Sequence, residues 1–383
     1  MRMLVLGAGL QGSACAYDLL QNKSVERVVV GDLRLDRIPP FLEKVRNDPR
    51  LELREVDARD VSSLRAAMVG VDAVLNALPY YFNLQVAELA VEAGIHCCDL
   101  GGNTAIVFDQ MKLDAQAKAK NISIIPDCGL APGMVNILAE AGIRQLDVAD
   151  AVRLYVGGLP QDPEPPLNYQ IVYSLHGVLD YYTTPSWVLA EGQPRQVEAL
   201  SEIEIVRFPD PVGALEAFHT AGGLSTMASR YQGKVRTMEY KTLRYPGHAD
   251  IMRAIRGLGL LDEAPVDVAG KSVVPRDVFI SCAEPHLRKP HGKDLVALRV
   301  EVEGKKVGKV RTITYDLLDY MDETHGISAM ERTTGFSLSI TGLLQVGGQV
   351  SPMGVLTPDM AVAAEPYIAE LAKRGIEITR RED

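Results

Sequence analysis

Met3-Leu4-Val5-Leu6-Gly7-Ala8-Gly9-Leu10-Gln11-Gly12, closed further on by Val28-Val29-Val30-Gly31-Asp32, decides how this chain folds. The apolar run reads as a buried strand, and Ser13 to Leu20 carries Ala14, Ala16, Tyr17 and Leu20 at helical spacing. Val28–Val30 is a second buried strand that ends in an acid about 20 residues beyond the last glycine. The unit is β–turn–α–β with G-x-G-x-x-G at the turn, the dinucleotide fingerprint in its full context. Gly7 makes the tight turn, Gly9 admits a pyrophosphate against the backbone, and Gly12 lets helix and strand pack closely. Leu10 and Gln11 stand at the helix N-terminus, whose free N–H groups favour phosphate. A carboxylate at Asp32 hydrogen-bonds the ribose hydroxyls and repels a 2′-phosphate by roughly 4 kcal/mol at an effective dielectric near 20. The expected cofactor is therefore NAD, with Arg34 leaving NADP possible.

With 383 residues the chain fits two domains, and 47% hydrophobic residues suffice to fill their cores. A formal charge of −10 argues against nucleic acid or an anionic membrane as partner, and no run reaches transmembrane length. Arg2 followed by Leu4–Ala16 imitates a secretory leader, but three glycines and Gln11 interrupt it. We read it as mature protein. Cys15, Cys97, Cys98, Cys128 and Cys282 lack metal-ligand spacing and suggest reduced thiols in a cytoplasmic setting. Cys128 reads as a small buried hydrophobe, and no metal is expected.

Strands and helices alternate through Ile125, which implies a doubly wound parallel sheet. Its expected strands include Leu51–Val56, Ala73–Ala77, Ile95–Leu100 and Ile122–Ile125. Ligands of such sheets lie over the carboxyl ends of the strands. That places Asn76, Ala77, Leu78 and Gly101 at the cofactor, Asp57 toward the adenine end, and the Asp127–Gly133 loop toward substrate. Beyond Ala149 the pattern becomes α+β with a mostly antiparallel sheet, including a hairpin turning at Gly304-Lys305-Lys306. The small-residue helix Thr333–Val346 is expected to return to the first domain, and Ile376–Ile378 to form a short strand. Expected domains are 1–130 plus 328–383 for the dinucleotide and 131–327 for substrate and oligomerisation.

The fingerprint, Asp127-Cys128-Gly129-Leu130-Ala131-Pro132-Gly133, Tyr155-Val156-Gly157-Gly158-Leu159-Pro160 and Thr242-Leu243-Arg244-Tyr245 together resemble the saccharopine reductase family over nearly the whole chain. Pro163–Tyr169 and Glu216–Gly223 look closer to its lysine 6-dehydrogenases. Ala131 replaces an aspartate that the reductases tend to have, and Thr220-Ala221-Gly222 stands where they tend to have Asn and Arg. A site without those groups suits a smaller amino acid than the tricarboxylate saccharopine. The resemblance implies hydride transfer from a C–N carbon to nicotinamide, most simply at the ε-amine of L-lysine, in a homo-oligomer (dimer or tetramer). Two alternatives are an NADP-dependent saccharopine or carboxynorspermidine reductase and an NAD-binding regulatory protein without turnover.

For the substrate carboxylate the planar fork of Arg244 is favoured, with a salt bridge to a neighbouring strand as its bland reading. Glu164, Glu216 and Glu239 are candidates for the α-ammonium, and Tyr173, Thr242 and Tyr245 for the pocket wall. His219, Asp99, His248 and Lys241 are candidates for proton transfer, with His219 ranked first as both catalytic and substrate-binding. Strand alternation turns Lys241 away from the face of Thr242 and Arg244. His96 and His176 read as structural.

Overall fold

The opening run forms β1 (Arg2–Leu6), buried from Met3 onward because helices cover both faces of a parallel sheet. The computed structural model describes residues 1–383. β2 (Arg27–Asp32), β3 (Leu51–Glu55), β4 (Ala73–Asn76), β5 (His96–Asp99) and β6 (Ser123–Ile125) follow, with helices including Leu10–Gln21 and Asn83–Ala93 between them. After helix Met134–Ile143 come the long β7 (Val148–Pro160), helix Leu175–Thr183 and the hairpin β8 (Ser186–Ala190) and β9 (Gln193–Val197). Next are β10 (Glu204–Arg207), β11 (Ala214–His219), β12 (Thr237–Arg244) and helix His248–Gly257. A small hairpin of β13 (Val266–Val268) and β14 (Lys271–Val273) leads into helix Pro275–Leu287, then β15 (Asp294–Lys306) and β16 (Lys309–Tyr320). Helix Ala329–Val346, β17 (Gly354–Val355), helix Ala364–Lys373 and β18 (Thr379–Glu382) complete the chain.

The first sheet runs β17-β6-β5-β4-β1-β2-β3 and is parallel throughout. Its order reverses between β1 and β4, which opens a crevice over their carboxyl ends. The second runs β10-β11-β12-β7-β15-β16-β18, with β8 and β9 beside β12, and only β7 and β12 pair in parallel. This is the α/β architecture expected, a dinucleotide-type sheet with a mostly antiparallel second one.

Helix Ala329–Val346 joins the two layers. Ser328 and Glu331 form a reciprocal capping box at its start, and Asp294 on β15 accepts the N–H groups of Ala329 and Met330 at 2.7 and 2.9 Å. Small residues let it sink against the first domain. A Cβ on Gly335 would lie 2.6 Å from the Gln11 carbonyl, and one on Gly342 2.6 Å from Leu75. The same buried cluster includes Met3, Val5 and Leu338 on one side and Leu154, Val300 and Tyr315 on the other.

Several boundaries differ from the sequence reading. The hairpin does not turn at Gly304–Lys306: β15 continues to Lys306, and Val307-Gly308 makes a two-residue turn with φ of 50° and 73°. A β-branched residue in that conformation masks a turn that otherwise calls for Asn-Gly. The last strand is Thr379–Glu382 rather than Ile376–Ile378, and it pairs with β16 in the second sheet. Helix Leu175–Thr183 escaped notice because Gly177 and the Tyr181-Tyr182-Thr183 run have poor helix propensity, although Ser174 caps it.

Candidate active site

At the crevice the glycine loop has the predicted close approaches. A Cβ on Gly7 would stand 3.0 Å from the Ala77 carbonyl, and one on Gly12 would overlap the Gly7 carbonyl. A Cβ on Gly9 would meet nothing within 4 Å, so the space before the helix N-terminus is open. No side chain caps that terminus. The Gln11 amide is buried with neither nitrogen nor oxygen partnered. Open space, uncapped N–H groups and an orphaned amide fit a diphosphate. Asp32 accepts the N–H groups of Ala8 and Arg34 at 2.7 and 2.8 Å, which fixes its carboxylate beside the loop. Asp57 lies past β3, where Arg59 holds it bidentately at 2.9 and 2.8 Å and lowers its pKa to about 2.

Asn76, Ala77 and Leu78 line the opposite wall, but Asn76 is committed inward and donates to Asn83 at 2.8 Å. Asn83 donates to Asp99 at 3.1 Å, as do Gln110 at 2.7 Å and the N–H groups of Gly101 and Asp127 at 2.7 and 3.3 Å. Burial lifts Asp99 to about pKa 6 against these bonds. With four donors on it, Asp99 is not the free acid–base group anticipated; it anchors the loops after β5 and β6. Gly101 has φ of 71°, and its missing Cβ leaves room for the Asp127 carboxylate.

In the second sheet Arg244, at the carboxyl end of β12, is only 3% exposed. Its Nε donates to the Tyr182 hydroxyl at 3.1 Å, and Nη1 to the Leu243 carbonyl at 2.8 Å, while the guanidinium lies 4.8 Å from the Tyr169 ring centre. No carboxylate reaches it, so the bland reading of a structural salt bridge does not hold. Tyr182 also bonds His248 Nε2 at 3.0 Å, and His248 Nδ1 sits 3.0 Å from the Leu167 carbonyl. Burial, then the Arg244 charge, push His248 down to about pKa 3. The ring is therefore neutral: Nδ1–H donates to Leu167, Nε2 accepts from Tyr182, and the tyrosine oxygen faces Arg244. Tyr173 is partly buried within electrostatic reach of Arg244, Tyr169 and Tyr181. Thr242 shares the Arg244 face and bonds Thr220 at 2.7 Å.

His219 is corrected. Register pairs it with Lys241, so it lies on the opposite face from Phe218, Thr242 and Arg244. There it contacts the Tyr240 carbonyl and Glu202, both at 3.3 Å, and Lys241 holds Glu204 at 2.7 Å. The alternation that excludes Lys241 excludes His219 as well. The proposed α-ammonium partners are also engaged elsewhere. Glu216 caps helix His248–Gly257 through the N–H groups of Gly247 and Ala249, Glu239 faces Arg153 and His219, and Glu164 pairs with Lys289 at the surface. Tyr245 donates to the Pro160 carbonyl, and Ser123 donates to His96. The cysteines are all free, four of them buried, and Cys128 donates to Ile125. No helix is long and apolar enough to cross a membrane.

Sequence reasoning missed Tyr182 and Ser225, which have no motif of their own, and put His248 forward for proton transfer, whereas the structure holds its neutral ring between the Tyr182 hydroxyl and the Leu167 carbonyl. Asp127 was inside the quoted loop, and its position at the carboxyl end of β6 was the available signal. It is 2% exposed with φ of 65°, and Ser225 donates to its Oδ2.

A dinucleotide-fingerprint crevice on the first sheet and a buried guanidinium without a carboxylate partner on the second are together the features of a dinucleotide-binding oxidoreductase acting on an amino acid. Residues 3–125 match the family model described as the saccharopine dehydrogenase NADP binding domain, and residues 129–376 the saccharopine dehydrogenase C-terminal domain. The chain belongs to the saccharopine dehydrogenase family. It is 23% identical to the saccharopine dehydrogenase [NADP(+), L-glutamate-forming] of Pyricularia oryzae over 98% of this chain and 97% of that protein. The apo saccharopine dehydrogenase (L-Glu forming) of Saccharomyces cerevisiae superposes with a TM-score of 0.81 at 20% identity, over 100% of this chain and 99% of that one. Homospermidine synthase from Legionella pneumophila, solved with NAD, gives 0.69 at 11% identity, over 100% and 91%. At these identities the superpositions show a shared fold.

Proposed function

We propose that the protein is an NAD-dependent dehydrogenase that oxidises the terminal amine of an amino acid, with L-lysine taken at its ε-carbon. One observation carries this. Lys241, Arg244 and Arg276 are the buried cations, and only Arg244 lacks a carboxylate partner. An unpaired buried charge costs several kcal/mol, so a substrate carboxylate is its natural complement. One free cation suits one carboxylate, whereas saccharopine brings three. Ala131 and Thr220-Ala221-Gly222 supply no further charge.

In this reading Arg244 grips the α-carboxylate, Tyr182 and His248 hold the guanidinium in place, and the tyrosines around it exclude water from the alkyl chain. Asp32 favours NAD by binding ribose hydroxyls. When bound, the nicotinamide accepts a hydride at C4. The substrate must first lose an ammonium proton, since the charged amine has no lone pair to expel hydride. At pH 7 this costs about 4.6 kcal/mol for an amine of pKa near 10.4. Hydride loss leaves an iminium, which water converts to aldehyde and ammonium. Turnover should therefore favour alkaline pH. We also propose the division of labour between residues 1–130 with 328–383 and residues 131–327, with the last strand lent to the second sheet.

A second reading is NADP-dependent saccharopine oxidation, the activity in the name of the Pyricularia oryzae relative that spans nearly the whole chain. Incubation with NAD or NADP and L-lysine, saccharopine or carboxynorspermidine separates the two. Reduced coenzyme formed from lysine and NAD supports the first reading. Turnover confined to saccharopine with NADP replaces it with the second, and coenzyme binding without turnover of any substrate sinks both.

A further inference from the structure

We propose that Asp127 takes the proton from the substrate nitrogen before hydride departs. The inference rests on the amine-oxidation reading but not on lysine as the particular substrate. Four observations place the carboxylate. It stands just past the carboxyl end of β6, on the same edge of the sheet as the switch point and two strands from β4, and Ser225 of the second domain donates to its Oδ2. Its Oδ1 receives no hydrogen bond from the protein and occupies the space an alanine methyl would take at position 101. Its left-handed backbone, φ 65°, is uncommon outside glycine and turns the side chain off the strand direction. Tyr181 lies within electrostatic reach of both Asp127 and Tyr173, and Tyr173 within reach of Arg244, so these side chains link the carboxylate to the guanidinium. An extended amino acid gripped at its carboxylate by Arg244 would thus have its far nitrogen directed toward Asp127.

The charged and titratable groups around it are Asp99 from β5, Asp359 from the short helix Pro358–Ala361, Tyr181 from helix Leu175–Thr183 and Cys128 in its own loop. None is a cation, so nothing nearby holds the carboxylate ionised except Ser225. Burial, with Asp99 and Asp359, brings its pKa to about 7. A base in that range is ionised at working pH yet basic enough to accept a proton. The step balances simply. The N–H bond of the ammonium breaks, its electron pair stays on nitrogen, and the proton becomes the Asp127 O–H. The nitrogen pair then forms the C=N bond as the carbon's hydride passes to the oxidised nicotinamide coenzyme.

The test uses the holoenzyme with whichever of L-lysine or saccharopine the wild type oxidises, since both must lose a nitrogen proton. Asp127→Asn should lower kcat/KM by about 100- to 10,000-fold and abolish its rise with pH through about 7, with coenzyme Kd by calorimetry and Tm unchanged. Ser225→Ala removes the one donor that favours the carboxylate, so its rise should move to higher pH. Asp127→Asn within threefold of wild type and showing the same pH rise overturns the proposal. A Ser225→Ala profile superimposable on wild type overturns it independently should the asparagine variant fail to fold. If saccharopine rather than lysine is the substrate, the lysine reading fails while the test of Asp127 proceeds; oxidation of neither overturns both.

Discussion

Replacing Arg244 by Met separates binding of substrate from support of the fold. If Arg244 exists to receive a carboxylate, its loss leaves that carboxylate buried without a partner. Truncating one side of such a pair costs about 2–5 kcal/mol. At 1.36 kcal/mol per decade this is a fall in kcat/KM of roughly 30- to 5,000-fold. The effect on folding runs the other way. Removing an uncompensated buried charge relieves about 1–4 kcal/mol. The bonds to the Tyr182 hydroxyl, at 3.1 Å, and to the Leu243 carbonyl, at 2.8 Å, are lost at about 1 kcal/mol each. Net stability should therefore change by no more than about 2 kcal/mol in either direction. Arg244→Lys keeps the charge without the planar fork and should fall between the two in activity. Urea denaturation with steady-state kinetics on the same preparations reads both quantities. A loss of kcat/KM below fivefold would refute the carboxylate assignment. So would destabilisation large enough to account for the lost activity.

Gly12→Val should abolish coenzyme binding in calorimetry, because its side chain would overlap the Gly7 carbonyl, while substrate-side variants leave that binding intact. Asp32→Ser removes the charge that opposes a 2′-phosphate and should lower the NAD/NADP ratio of kcat/KM at least tenfold, toward an upper limit set by roughly 4 kcal/mol; an unchanged ratio refutes Asp32 as the selector. Burial raises Glu331 to about pKa 7, above the unfolded value of about 4.3, so its contribution to stability is present at low pH and lost as pH rises between those values. Glu331→Gln should therefore gain on the wild type as pH climbs from about 4 to about 7, by on the order of 1 kcal/mol per unit at most, and parallel curves of urea midpoint against pH would contradict this.

The first domain was legible because its signals are local. Gly7 and Gly12 each serve a close contact within the turn or across to Ala77 beyond β4, Gly9 leaves the helix N-terminus open, and strand runs such as Val28–Val30 are apolar on both faces. The second domain was less so, since its strands belong together only through distant pairings such as β7 with β12 and β16 with β18. His219 shows the limit most plainly. Its neighbours in sequence suggested the site, but the register of β11 against β12 decided which way it faces, and register is not a local property. Arg244 was legible as a residue type with the right geometry. That no carboxylate meets it required the positions of every acid in the domain.

Asp99 and Asp127 illustrate how surroundings divide work between like groups. Both close parallel strands at the same crevice, and burial raises both. Asp99 accepts from Asn83, Gln110 and two backbone N–H groups, so adding a proton would break bonds that hold two loops. Asp127 accepts only from Ser225, and its other oxygen faces Gly101 with no bond to lose. A carboxylate that exchanges protons every turnover must do so without rearranging its anchors, and only Asp127 meets that condition. The two also depend on each other, because the Asp127 N–H is one of the donors on Asp99. Asp99→Asn should therefore reduce activity by displacing Asp127, with a loss of Tm that Asp127→Asn does not share. Equal Tm losses in the two variants would mean that both carboxylates are anchors, and the division drawn between them would fall.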